Sequence, residues 1–309
     1  MISLMSQSTI EELKRQLASL DEKLHDSIMK RVELSARISE LEVKNNTSDD
    51  NTQHQRDIET IHHLLNRHAG KLPHETIVRL WREVCATTFW MRKSHKVAVT
   101  MPDAMQGMLH WDMAKDYFGR IVPLQKVTNP VAALSLVKER EVKFAVLPWP
   151  QDDAVNAWWR YIMDEMSSPK LRIIARLPFG EQSYDNGNPA CKLLVVAAMD
   201  YEVGINDRAF IALQLEQRVS RGRILDKCQL LGLTPHSLNS GASAHPDFTD
   251  HIIEVSGFDV KDVNLLKELL SKLESDNGYA SYIGGYPKPP IYDALDEEIK
   301  QNDKVTWIA

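Results

Sequence analysis

Apolar residues recur at heptad spacing from residue 8 to residue 44. Ile10, Leu17, Leu24, Arg31 and Ile38 share one position of the repeat, and Leu13, Leu20, Ser27, Leu34 and Leu41 share the other. No proline or glycine interrupts the run, so the pattern predicts one long helix whose seam needs partner helices. Ser27 and Arg31 stand where two leucines are expected. The polar stretch NNTSDDNTQHQ then predicts a loop. A second helix follows over RDIETIHHLLNRH, with Ile58, Ile61 and Leu65 on one face. The turn AGKLPHE leads into a third helix over residues 73–93. Its stripe of Ile77, Leu80, Trp81, Val84 and Cys85 passes into Thr88 and Arg92.

The pattern changes at Ser94. KVAVTM, IVPLQKV, VKFAVLPW, LRIIARLPF and KLLVVAAM read as strands. DAMQGMLHWDMAKDYFG, NPVAALSLVKERE and DAVNAWWRYIMDEM read as helices between them, with Trp158 and Trp159 packed on the sheet. Strands alternating with helices predict an α/β layer with a mostly parallel sheet. The last segment runs RAFIALQLE, RGRILDKCQLLG, TPHSLN, DHIIEVSGF, VKDVNLLKELLSKLES, ASYIGGY. That order is βαββαβ, a ferredoxin-like arrangement.

The 309 residues are enough for two or three domains, and 26% charged with 43% hydrophobic is ordinary for a globular chain. A net charge of −6 argues against a general nucleic-acid binder but leaves room for a local cationic pocket. Cys85, Cys191 and Cys228 are scattered and form no CxxC pair, so neither a disulfide framework nor a zinc site is expected. His62 and His63 point about 100° apart on a helix and lack a carboxylate at ligand spacing. No Walker loop or GxGxxG is present, so no metal or cofactor is expected. The opening residues carry no basic start followed by an apolar run, and no apolar stretch is of membrane-spanning length. The expectation is a cytoplasmic protein away from membranes.

The polar residues on the apolar faces carry the candidate chemistry. A guanidinium inside a helical bundle costs several kcal/mol (an order-of-magnitude figure) unless an anion shares the space. Its planar fork suits carboxylates. Read from the residues alone, Arg31 leans out of the seam, pairs with a glutamate of a partner helix, or lines a pocket for a small polyanion. Arg56 and Arg92, taken singly, fit a solvated first turn and a helix-end cation.

The order LDEKLHDSIMKRVELSARI, RDIETIHHLLNRH, LPHETIVRLWREVCATT resembles the all-helical chorismate mutases over residues 10–93. The resemblance implies an intertwined homodimer or higher oligomer that rearranges chorismate to prephenate, without a nucleophile or metal. It implies that Arg31 and Arg56 grip carboxylates, with Asp57 at the substrate hydroxyl and Thr88 at a small hydroxyl position. Lys14 falls where the partner subunit's arginine is expected, with Arg15 beside it. Glu42 takes the place of the family's ether-binding lysine, with Lys44 close by. Arg92 takes the place of the ether-binding glutamine and keeps a donor there.

The rest of the chain resembles a prephenate dehydratase followed by an ACT domain. MPDAMQG stands at the family's glycine-rich, serine-containing turn, and FAVLPWPQDD at its Pro-Ile-Glu-Asn-Ser type loop. Cys191 and Lys192 replace a catalytic threonine and arginine, and the second lobe is much shortened. Dehydratase activity is therefore expected to be lost, with Cys191 a small buried hydrophobe rather than a nucleophile. YIGGYPKPP resembles the end of the ACT domain, while SLNSGAS departs from the family's effector segment. The expected organisation is a helical mutase-like domain (1–94) and a shortened dehydratase-like α/β domain of periplasmic-binding-protein type (95–203). An α+β ferredoxin-like ACT domain (204–292) and a tail (293–309) complete it. The expected function is chorismate mutase in phenylalanine and tyrosine biosynthesis. The alternative is a non-catalytic regulator that binds chorismate, prephenate or an aromatic amino acid.

Overall fold

A computed structural model describes residues 2–45, 50–152, 157–163, 168–182, 192–199, 204, 206–262 and 264–297. The chain divides into two compact units, one of Met1–Asp49 with Thr88–Lys93 and one of Asp50–Thr87 with Ser94–Ala309.

The first unit is dominated by helix α1 (Ile2–Lys44). Glutamates three residues ahead of Lys14 and Arg15 pair with them at 2.9 and 3.0 Å, the favoured order along a helix. The leucine seam is open in the single chain: exposure runs from 46% at Ile38 to 61% at Leu20. The half-buried stripe is a different one, composed of Ile28, Arg31, Val32, Ser35, Ser39 and Glu42. These positions follow helical spacing, so they form one face of α1. Helix α3 (His74–Arg92) contributes its last residues to this unit.

The second unit begins with α2 (Asp50–Arg67). The expected loop ends earlier than its composition suggests, because residues 50–55 are already helical. Side-chain bonds at helical spacing support that polar turn, including Gln53 to Asp57 at 2.8 Å and Gln55 to Glu59 at 3.1 Å. Ile61, Leu65 and Val78 pack with Tyr292 in a small core of α2, α3 and the C-terminal segment. Arg82 of α3 is buried, with its guanidinium carbon 3.7 Å from the Tyr117 ring centroid and 4.8 Å from that of Phe179. A cation stacked on aromatic faces in this way docks this part of α3 on the α/β layer.

That layer comprises β1 (Val97–Thr100), α4 (Ala104–Phe118), β2 (Leu124–Val127), α5 (Pro130–Lys138), β3 (Phe144–Pro148), β4 (Arg172–Leu177) and β5 (Leu193–Ala197). The segment expected as a helix after β3 shows, in its described part, a 3-10 turn over Trp158–Ile162 with both tryptophans buried. The final layer is β6 (Arg208–Glu216), α6 (Arg221–Leu230), β7 (Thr234–Ala242), β8 (Phe248–Ser256), α7 (Leu265–Leu273) and β9 (Tyr279–Tyr286). This is the βαββαβ order read from the sequence.

The nine strands among the described residues join one sheet in the order β2-β1-β3-β5-β4-β9-β6-β8-β7. The expectation of a mostly parallel sheet is corrected. Among the pairings of the described strands, β1/β2, β1/β3 and the short β4/β9 bridge are parallel, and β5 runs antiparallel between β3 and β4. β4 and β5 are consecutive in the chain, and antiparallel pairing of consecutive strands needs no crossover. The β4/β9 pairing of Ile173 with Gly284 carries the sheet across the expected boundary at 203/204. Gly284 sits at φ +115°, and a Cβ there would overlap the Ile173 backbone, so the close approach needs a glycine. One core runs beneath both layers, from Leu194 and Val196 through Trp149, Trp158 and Phe210 to Ile252 and Ile283.

Candidate functional site

The inward stripe of α1 gathers polar groups. Arg31 is half-buried on it, two turns ahead of half-buried Ser39, with half-buried Ser35 between them. Arg92, in the last turn of α3, donates from Nη1 to Ser39 Oγ. Thr88, one turn earlier on α3, is buried. The first unit therefore contains Arg31, Thr88 and Arg92, three of the residues singled out in the sequence. Ser35 and Ser39 were missed, because a serine among the polar residues of a helix has no distinguishing signal.

The remaining α1 residues stand differently. Ser27 is exposed and bonds the Lys23 carbonyl at 2.7 Å, so it neither faces the core nor interrupts a packed seam. Such back-bonding is the usual way a helix tolerates a serine. Lys14 is exposed and paired with Glu11. Glu42 is half-buried on the stripe with Ser39, whereas Lys44, two residues on, is exposed at the helix end. A two-residue step turns a side chain about 200° around a helix, so the two cannot share that face.

In the second unit, Arg56 and Asp57 lie in the second turn of α2 and both bond Gln53. Arg56 Nη2 donates to Gln53 Oε1 at 3.1 Å, and Gln53 Nε2 donates to Asp57 Oδ1 at 2.8 Å. Gln53 thus fixes both side chains from one turn earlier. The sequence reading placed it in a loop and gave it no role.

The dehydratase-like positions are closed by their own side chains. Asp103 caps α4, accepting from the backbone N–H groups of Met105 and Gln106 at 2.9 and 2.8 Å. Its carboxylate fills the place where a helix N-terminus would receive an outside anion. Lys192 lies 3.7 Å from Glu181, which also pairs with buried Arg176. Lys192 Nζ is 5.6 Å from the Trp149 ring centroid. Cys191 lies outside the described residues. Cys85 and Cys228 are buried and outside any disulfide, and burial pushes the Cys228 thiol up to about 11, away from nucleophilic use.

Two histidines are held neutral by their surroundings. Burial, then the Arg82 charge, lowers His54 to about 3. Burial, then Arg221, lowers His251 to about 4, and its Nδ1 is 2.8 Å from Ser240 Oγ. No group of three potential metal-ligating side chains occurs among the described residues. No helix among them is long and apolar enough to cross a membrane.

No protein-family model and no curated protein matches the sequence. Solved structures give weak matches. One titled as GqqA, a novel type of quorum quenching acylase, has 13% identity and TM-score 0.44, covering 64% of this chain and 97% of its own. Prephenate dehydratase from Streptococcus mutans has 13% identity and TM-score 0.41, covering 62% and 97%. Prephenate dehydratase from Arthrobacter aurescens, in complex with L-Phe, has 11% identity and TM-score 0.42, covering 69% and 100%. No role is carried over from likenesses this weak.

Proposed function

We propose that the protein is a chorismate mutase of aromatic amino-acid biosynthesis, working without metal or cofactor as a homodimer or larger homo-oligomer. The observation that carries this reading is the placing of Arg31 and the Ser39–Arg92 pair on one inward face of α1. A leucine-rich helix that turns an arginine and two serines inward is built to meet an anion there. The resemblance of LDEKLHDSIMKRVEL to the helical mutases names that anion as chorismate.

The reaction is a unimolecular rearrangement, so the protein has to hold one conformer and stabilise charge. Arg31 binds a carboxylate through its planar fork. The resemblance assigns the second carboxylate to Arg56, which Gln53 holds, and the polar periphery to Asp57 and Thr88. Arg92 donates to the ether oxygen as its bond breaks and negative charge grows there. The open leucine seam of α1 accepts a second copy, which brings Lys14 of that copy to the site. The charge cluster of Arg176, Glu181 and Lys192 and the Asp103 cap support loss of dehydratase activity.

One observation favours the other reading, a non-catalytic regulator binding the same class of ligand. Glu42 occupies the inward stripe while Lys44 is exposed, so a carboxylate stands where the resemblance calls for a cation. Loss of chorismate with the full-length protein separates the two, with Arg31→Ala as control. Turnover at least about 100-fold above the uncatalysed rate, reduced strongly in the variant, is expected of a mutase. Binding of chorismate by calorimetry with background turnover would establish the regulator instead. Conversion of prephenate to phenylpyruvate would overturn the reading of the α/β layer.

A further inference from the structure

We infer that Ser39 is a positioning residue for Arg92, and that this pair lets the cation acting on the breaking bond come from α3. The inference rests on the mutase reading. Arg92 belongs to the last turn of its helix, where a long cationic side chain ordinarily extends into water and keeps its rotamer freedom. Here it is half-buried and donates from Nη1 to Ser39 Oγ. Its guanidinium carbon is 5.9 Å from the Phe89 ring centroid, so a ring flanks the same group. A guanidinium has five N–H donors in a fixed plane, and a serine hydroxyl takes one of them. Holding one donor beside a flanking ring restricts the plane, which narrows the directions open to the others.

The neighbouring positions agree with that role. Ser35 lies one turn before Ser39 on the same half-buried stripe, and Arg31 one turn before Ser35. A residue as small as serine between the two positions leaves room over the middle of the stripe, and its hydroxyl keeps that middle polar. Arg31 and Ser39 are eight residues apart, roughly 12 Å along the axis, and both arginine side chains are long enough to reach inward over that gap. In the mutase reading a substrate carboxylate at Arg31 and a reacting oxygen at Arg92 then lie towards the two ends of that stripe. A neutral amide needs only to point one N–H at the oxygen. A flexible cation in that place needs anchoring, and Ser39 is one anchor that the structure provides.

The test uses the full-length protein and steady-state chorismate kinetics. Ser39→Ala is expected to lower kcat about 10-fold with KM changed less than about 2-fold, because a donor to the ether oxygen acts chiefly as charge develops. Ser39→Thr, which keeps the hydroxyl, is expected to recover kcat to within about 3-fold of wild type. In a double-mutant cycle, Ser39→Ala is expected to add nothing to Arg92→Ala, since Ser39 acts through that side chain. Ser39→Ala should keep the wild-type circular dichroism spectrum, because the alanine gain in helix propensity offsets part of the lost hydrogen bond. An unchanged kcat, or additive losses in the cycle, would overturn the inference and leave the mutase reading standing. Wild-type turnover at background would remove both, a result distinct from either.

Discussion

The Nδ1 of His74 and the backbone N–H of the same residue both meet Asp296 Oδ1, at 2.6 and 3.0 Å, across 222 positions of sequence. His74 is the first residue of α3, so a carboxylate from far along the chain caps this helix. It satisfies an orphan N–H and complements the positive end of the helix dipole. Tyr292, four residues earlier, is buried in the small core with Ile61, Leu65 and Val78. The C-terminal segment is thereby tied to the start of the helix whose last turns carry Thr88 and Arg92.

Replacing Asp296 with alanine should cost about 1–2 kcal/mol of stability, the usual loss for a helix cap with a second hydrogen bond. Urea unfolding should show a lower midpoint with an unchanged slope. Tyr292→Ala should cost more, about 3–5 kcal/mol, because it empties a buried aromatic site. Equal midpoints for Asp296→Ala and wild type would mean that the cap contributes nothing.

His251 gives the fold a pH dependence of definite sign. Burial and Arg221 lower its pKa to about 4, against 6.5 for the free side chain, while Asp250 and Asp152 oppose them. The unfolded chain therefore binds a proton that the folded chain refuses, and stability falls as pH drops from about 6.5 towards 4. The loss approaches about 1.4 kcal/mol per pH unit for this one group (an order-of-magnitude slope). His54, lowered to about 3, acts in the same direction and extends the loss below pH 4. Urea midpoints measured from about pH 7.5 to about pH 5 should decline, and His251→Asn should flatten that decline by about one proton. A slope identical in the variant and wild type would exclude His251 as the source.

Much of this was legible in the sequence, and what was not has physical causes. The heptad of Leu17, Leu24, Leu34 and Leu41 correctly announces a helix, since its spacing is set by the backbone. It does not announce which face turns inward, because that depends on the partner. Within one chain the inward face is the stripe of Arg31, Ser35, Ser39 and Glu42. The alternation of strands and helices after Ser94 shows the layers, but not the direction of β5. That direction is set by pairing with β3 and β4 on either side, not by any residue within the strand. Asp296 carries no local signal for capping a helix 222 residues away, and Gln53 looks like loop composition until it is seen bonding Arg56 and Asp57.

The exposed leucines predict self-association. Leu20 is 61% and Leu24 55% exposed in the single chain. A helix of 43 residues with such a seam is not expected to persist alone in water. Leu20→Asp with Leu24→Asp should convert a dimer or larger oligomer into monomer in light scattering, while circular dichroism retains the sheet of the second unit. In the mutase reading the same variant loses turnover, because Lys14 of the second copy no longer reaches the site. A wild-type protein that scatters as a monomer at about 50 µM would contradict the predicted association.

Glu42 gives the sharpest test of the chemistry. It shares the inward stripe with Ser39, a hydrogen-bond partner of Arg92, and in the mutase reading its charge has the wrong sign for a dianionic substrate. For a separation of about 8 Å at an effective dielectric of ~20, each like-charge contact is worth about 2 kcal/mol before screening. Neutralising it should help twice, by tightening substrate binding and by easing growth of negative charge on the ether oxygen. Glu42→Gln is therefore expected to lower KM and raise kcat, each about 3- to 10-fold. Glu42→Lys should go further, supplying a cation on α1 beside the one on α3. If both variants instead lose activity while keeping their fold, Glu42 is needed where it stands. Its carboxylate would then serve to hold Arg92 rather than to oppose the substrate, and the charge balance of the site would have to be redrawn around that pair.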